Sequence, residues 1–218
     1  LENARQVRLG GVVDLRGGGG KAWIGKHLSN ILDAMSTGLA RKIQDERKRR
    51  DWSLTELAER AGVSRAMIHR IEADESSPTA AVIGRLAGAF GMTMSEMLAE
   101  PVTGGSRLSR AQDRDVWPDP ETGYVREVLT PRAEPGRRKL EIVKVTLPAG
   151  ARVSFPPQSF GFLMESIWVQ SGELTFEAGK EVWRLGTDDC LTLGAPRRCS
   201  FVNESDAPCS YAVVVARI

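Results

Sequence analysis

Leu57-Ala-Glu-Arg-Ala-Gly-Val-Ser-Arg-Ala-Met-Ile-His-Arg-Ile71 decides how the first half of this chain folds. Apolar residues at helical spacing, Leu57 and Ala58 and then Met67, Ile68 and Ile71, stand on either side of Gly62. Two helices that cross closely need a small side chain where they touch, and Ala58 supplies it. The tight turn between them needs a residue free to take a left-handed backbone, and Gly62 follows four residues on. Val63, Ile68 and Ile71 then bury the inner face of the second helix, which leaves Arg65, Ala66, His69 and Arg70 turned outward.

The same periodicity extends outward from this motif. Leu39 and Ile43 precede it, with Leu54; Val82, Ile83, Leu86 and Phe90 follow it, then Met97 and Leu98, so five short helices fit between Gly38 and Glu100. Ser53 with Glu56 three residues later predicts a capped helix start, Ser64 caps the next helix, Ser77-Pro78-Thr79 makes a stop and a fresh start, and Gly91 ends the fourth helix. Residues 41–70 carry nine Lys or Arg against five Asp or Glu, a net of +4, whereas residues 71–100 carry one against five, a net of -4. A local basic block in a chain of net charge +2 suggests a directed footprint on a polyanion. The alternative for Arg47, Lys48, Arg49 and Arg50 is a solvated helix end, where cations favour the C-terminal dipole.

Residues 1–36, rich in Gly and Arg with weak periodicity, read as a flexible N-terminal tail with a short helix over Lys21–Ala34. Residues 37–100 form the helical domain, and 101–117, with Pro101, Gly104, Gly105 and alternating charges, read as a linker. From 118 to 218 the period switches to two, in Leu140–Leu147, Ser166–Gln170, Leu174–Phe176, Val182–Leu185, Leu191–Leu193, Ser200–Val202 and Tyr211–Val215. Turn residues separate these runs every eight to twelve positions, which predicts an all-β sandwich or barrel. The fold class is α + β in two domains.

Charged residues at 27%, hydrophobic residues at 41% and a mean hydropathy of -0.25 exclude wholesale disorder. The longest purely apolar run, Ala212–Ala216, is far short of the roughly 20 residues that cross a bilayer, and the first residues lack a secretory apolar stretch; no membrane association and a cytoplasmic location are expected. Cys190, Cys199 and Cys209 lack the paired spacing of a disulfide framework or a zinc finger, so reduced thiols are the default.

Two arginines on an outward helix face suit the major groove, since a guanidinium pairs bidentately with guanine O6 and N7. On these residues, 38–99 resemble the five-helix DNA-binding domain of the XRE (Cro/C1-repressor-like) family. The resemblance implies that Arg65, Ala66 and Arg70 read bases, with Ser64 at a phosphate; His69, with no second His or Cys nearby, is a polar reader or a solvated residue rather than a metal ligand, and Arg47 and Lys48 are candidate phosphate contacts. Phage repressors usually carry a glutamine at the start of the second helix, where this chain has Leu54, so their detailed contact map transfers less well than their fold.

Residues 118–218 resemble a small cupin, the double-stranded β-helix barrel, on Pro148-Ala-Gly150, Glu165 followed seven residues later by Gly172, Gly186-Thr-Asp-Asp189 and Phe201-Val-Asn203. Catalytic cupins hold a divalent metal through a His-x-His pair ahead of the glutamate and a third His before the asparagine. Here the paired positions fall on Gln158 and Phe160 or on Ser159 and Gly161, the third falls on Cys199, and the two histidines of the chain, His27 and His69, lie outside the barrel. No metal and no cofactor are expected. A thiophilic ion on Gln158, Glu165 and Cys199 is one alternative, and a Cys199–Cys209 redox pair is another.

The cavity that such a barrel retains suits a small effector, with Arg152, Gln158, Glu165, Trp168, Trp183 and Cys199 as candidate lining residues, some of which strand alternation turns outward. An unpaired Glu165 pointing inward would have a raised pKa and call for a cationic or hydroxyl-bearing partner. The order of XRE domain, linker and cupin resembles a widespread class of bacterial regulators. It implies a non-enzymatic, sequence-specific transcriptional regulator that binds operator sites in double-stranded DNA as a homodimer, with a cupin domain that binds an unidentified small-molecule effector, supports dimerisation, or does both. The alternatives are a cupin-type metalloenzyme, a dioxygenase or isomerase with a DNA-binding appendage, and a helical module that recruits protein.

Overall fold

The computed structural model describes residues 38–99, 106–132 and 139–217. The expected tail over 1–36, with its short helix, lies outside these residues. Helix α1 covers residues 38–49, and α2 Leu54–Ala61, α3 Arg65–Glu72, α4 Ala80–Phe90 and α5 Met94–Leu98 follow. Ser53 Oγ accepts from the Glu56 backbone N–H at 3.1 Å while the Glu56 carboxylate accepts from the Ser53 N–H at 2.7 Å, so both orphan donors at the start of α2 are satisfied. Gly62 takes the left-handed conformation, φ 62°, that turns the chain into α3. Ile43, Leu57, Ile68, Ile71, Ile83 and Leu86 are fully buried at the centre of the helices, each contributing roughly 1.5–3 kcal/mol of transfer free energy.

The second domain is antiparallel throughout its paired strands. Strands β1 (Val116–Pro118), β2 (Val125–Val128), β3 (Leu140–Leu147), β4 (Arg152–Phe155), β5 (Leu163–Ser171), β6 (Leu174–Ala178), β7 (Glu181–Leu185), β8 (Cys190–Thr192), β9 (Cys199–Val202) and β10 (Cys209–Arg217) form two sheets. One runs β1-β2-β3-β10-β5-β8 and the other β4-β9-β6-β7. Strand β1 begins inside the stretch read as a linker, and β2 and β4 were not evident as separate runs: three or four residues are too few to display a period.

Registers decide which side chains face inward. Across β3, β10 and β5, Glu141, Val215 and Glu165 share a row, followed by Val143, Val213 and Ile167 and then Val145, Tyr211 and Val169. These residues are buried, and the alternate set, Leu140, Ala216, Met164 and Trp168 among them, lies on the outer face.

The helical domain is docked on the barrel. Helix α4 brings Gly84 and Gly88 against the turn formed by the short 3-10 helix Pro157–Ser159 and the end of β4; a Cβ on Gly88 would lie 2.4 Å from the Gln158 carbonyl oxygen, and one on Gly84 2.9 Å from the Phe155 ring. Polar ties reinforce the contact. Arg126 of β2 donates to Ser95 Oγ at 3.0 Å, Thr93 Oγ1 donates to Glu141 at 2.8 Å, and Arg217 pairs with Glu96.

Candidate functional site

Helix α3 presents Arg65, Ala66, His69 and Arg70 fully on the exposed side, and Ile68 and Ile71 anchor the opposite side. Ser64 caps α3, its Oγ accepting from the Met67 N–H at 3.2 Å, so its hydroxyl is partly committed to holding the helix start. Arg85 of α4 donates to the Gly62 carbonyl at 3.1 Å and fixes the turn that aims α3.

The basic block at the end of α1 is largely compensated from within. Arg47 makes a two-pronged pair with Glu72 of α3, at 2.7 Å through both Nε and Nη2, and also donates to the Trp52 carbonyl at 2.9 Å. Its side chain is only 13% exposed. Arg47 therefore links α1 to α3 and is not poised for phosphate, a correction to the sequence-based expectation. Arg49 and Arg50 both pair with Glu46, and Arg50 also reaches the Phe90 carbonyl at 2.6 Å. Lys48 remains exposed and donates to the neutral Gln44 side chain at 3.0 Å.

Inside the barrel, two chambers meet at Glu165. The larger, about 230 Å³, is lined by Phe160, Phe176, Trp183, Leu193 and Cys199, with Glu181 and Arg197 at its mouth. The smaller, about 50 Å³, is lined by Arg126, Tyr124, Phe155 and Tyr211 and by Thr93 and Met94 of the helical domain. Thr93, Met94, Arg126, Phe160 and Phe176 were not among the expected lining residues; alternation along Leu174-Thr-Phe176 is the one signal that pointed to Phe176.

Glu165 is buried, and burial pushes its carboxyl up to about 7; the Arg126 guanidinium opposes this rise and Glu141 adds to it. Three of the other expected lining residues lie elsewhere. Trp168 is 45% exposed on the outer sheet face, because it alternates with inward Ile167 and Val169. Arg152 is exposed and pairs with Glu177, at 2.7 and 2.8 Å, since Val153 and Phe155 take the inward positions of β4. Gln158 is an exposed residue whose backbone meets α4. Only Glu165, Trp183 and Cys199 converge.

The residues do not fit the metal site that catalytic cupins carry. The barrel has no histidine, Gln158 lies outside the cavity, and burial first, with the nearby Glu165 charge, pushes the Cys199 thiol up to about 12, away from the thiolate that ligation requires. Among the described residues no three His, Cys, Asp or Glu side chains cluster. Nor do Cys199 and Cys209 lie on adjoining strands, since β9 pairs with β4 and β6 while β10 pairs with β3 and β5.

Residues 43–97 match the HTH_3 helix-turn-helix family model. The helical module is an HTH_3 domain. The chain is 36% identical over 70 residues to the HTH-type transcriptional regulator SutR of Escherichia coli (strain K12), an alignment covering 32% of this chain and 39% of that protein. It thus spans well under half of that relative's length. The crystal structure of an HTH_3 family transcriptional regulator from Vibrio cholerae superposes with a TM-score of 0.70 at 23% identity, covering 86% of this chain and 99% of that one. A Cupin_2 domain of an XRE family regulator from Enterobacter cloacae covers 44% of this chain at 21% identity, 97% of that domain and a TM-score of 0.39. The architecture is an HTH_3 domain followed by a β domain of two antiparallel sheets. Among the described residues no helix is long and apolar enough to cross a membrane.

Proposed function

We propose that this protein is a sequence-specific transcriptional regulator that binds operator sites in double-stranded DNA through α3, and that its barrel cavity receives a small-molecule effector. The observation that carries the first half is the face of α3. Arg65, Ala66, His69 and Arg70 stand exposed together at the N-terminal and middle turns, held by a capped start and a buried opposite side. Arginines so placed reach guanine edges in the major groove, while Ser64 and Lys48 lie at positions suited to backbone phosphates.

The second half rests on the cavity and on what touches it. Thr93 and Met94 of the HTH_3 domain line the chamber that Glu165 shares, and Arg126 joins that chamber to Ser95, so occupancy acts directly on α5. An effector that prefers one docked arrangement over another shifts DNA affinity by that preference. The protein acts without catalysis of its own, as a homodimer in the cytoplasm. Leu140 and Met164, flanking Ala216, and Trp168 on the same outer sheet face, 45–52% exposed, offer an apolar surface for the second copy. A single module of this size buries too little surface for tight operator binding, and a dimer doubles it.

The test is selection of genomic fragments on the full chain, followed by affinity on the selected operator and on random duplex over a salt series. Tight binding to the operator with steep salt dependence supports the reading; equal affinity for both duplexes overturns sequence-specific regulation. A native mass spectrum of the full chain reports dimerisation and any retained organic mass.

A further inference from the structure

We propose that the larger chamber of the barrel is a receptor for a small organic cation, an alkylammonium whose charged head sits on the Glu165 carboxylate and whose hydrocarbon part lies among Phe160, Phe176 and Trp183. This rests on the reading of the barrel as an effector receptor and names the chemical class that receptor takes.

The carboxylate is the first ground. Glu165 is 9% exposed on the wall common to both chambers, and among the described residues its carboxylate accepts no hydrogen bond. The Arg126 guanidinium, whose charge acts on Glu165, donates to Ser95 Oγ at 3.0 Å rather than to the carboxylate. A buried carboxylate without donors is costly, and a ligand that brings N–H donors and a positive charge offsets that cost where an apolar ligand does not.

The walls are the second ground. Phe176 and Trp183 lie with ring centroids 5.8 Å apart and tilted by 32°, and Phe160 completes an aromatic lining beside the carboxylate. Aromatic faces carry partial negative charge and attract a cation while accepting its methylene groups. An anion meets the opposite situation. The cation at the mouth, Arg197, is already paired with Glu181 at 2.9 Å, and an anion moving further in meets Glu165.

Size bounds the ligand. A chamber of about 230 Å³ corresponds to roughly eight water volumes at ~30 Å³ each, room for a chain on the order of ten heavy atoms.

Calorimetric titration of the full chain with n-alkylammonium chlorides from propyl to heptyl, against alkanols and alkanoates of the same lengths, tests this. The expected result is one ammonium bound per chain, alkanols weaker by about tenfold, and no alkanoate binding. Glu165→Gln, which keeps the side-chain shape, should weaken the ammonium by about tenfold and bring it level with the alkanol; Trp183→Leu should weaken both. Alkanols or alkanoates that bind as well as the ammonium, or ammonium binding unchanged in Glu165→Gln, overturn the cation proposal and leave the effector reading intact. If no ammonium binds, the cation proposal is overturned. If alkanols and alkanoates also fail and the native spectrum carries no organic mass, the effector reading falls with it.

Discussion

The Asp119 carboxylate, in the turn between β1 and β2 of the barrel, accepts a hydrogen bond at 2.7 Å from the backbone N–H of Ala80, the first residue of α4. Thr79, at the N-cap position of that helix, makes no side-chain cap bond. One domain therefore caps a helix of the other, with a buried negative charge at the positive end of the helix dipole. Asp119→Ala should cost about 0.5–2 kcal/mol of stability by denaturant unfolding. Amide exchange should also accelerate in the first turn of α4, and unchanged exchange at Ala80–Ile83 would show that the bond contributes nothing to docking.

Gly88→Ala poses a conflict of known signs. Alanine favours a helix interior by about 1 kcal/mol over glycine, yet its Cβ would lie 2.4 Å from the Gln158 carbonyl oxygen and 2.9 Å from its carbon. Main-chain atoms give way poorly, so a net loss in melting temperature is expected despite the helical gain. A stabilised variant would mean that the α4–barrel contact is looser than described. Gly84→Ala meets the Phe155 ring at 2.9 Å, a side chain with more freedom to move, and should be milder.

Glu165 links stability to pH. The folded protein holds this proton to about 7, against 4.5 for the exposed group. Its contribution is therefore fully present below about pH 4.5 and is lost as pH rises through about 7, a difference on the order of 3 kcal/mol. Glu165→Gln should remove that slope. Unfolding of both proteins across this window should give curves that diverge with rising pH, the variant being the more stable at the alkaline end; parallel curves would contradict a carboxyl whose ionisation is disfavoured by burial.

Arg65→Ala should lose about 1–3 kcal/mol on the selected operator and little on random duplex. Lys48→Ala should weaken both alike and flatten the salt dependence by about one phosphate. Equal losses for Arg65→Ala on both duplexes would remove it from base reading.

Arg47→Ala should behave differently from either. Removing it leaves Glu72, 7% exposed, without its guanidinium partner, so stability should fall by roughly 1–3 kcal/mol while the salt dependence of DNA binding keeps its slope. A changed slope at undiminished stability would return Arg47 to the phosphate-contacting set.

The helical half was legible because its signals are local. Ser53 with Glu56, Ser64, Gly62 and Gly91 each act within one turn of chain, and each stands where spacing and capping chemistry put it. In the barrel, the long runs Leu140–Leu147 and Tyr211–Val215 were equally plain, whereas Trp168, expected to line the cavity, alternates with inward Ile167 and Val169 and faces out. What sequence could not carry was the pairing of distant segments. Nothing local marks Arg126, and only the register β2-β3-β10-β5 and the docking of α5 bring it near Glu165 and Ser95. Arg47 likewise looks free until Glu72, twenty-five residues away, is folded against it.

The seat of Gly88 on the Gln158 backbone bears on how such proteins are recombined. A chimera that joins this helical domain to a foreign barrel by a splice between the two domains would set α4 against a surface to which it was never matched. The functional seam runs through the buried face of α4 and the tip of the β4–β5 connection. A workable biosensor graft must therefore carry the 157–159 turn, Asp119 and Arg126 along with the helices, so that the exchangeable unit becomes the remainder of the barrel wall.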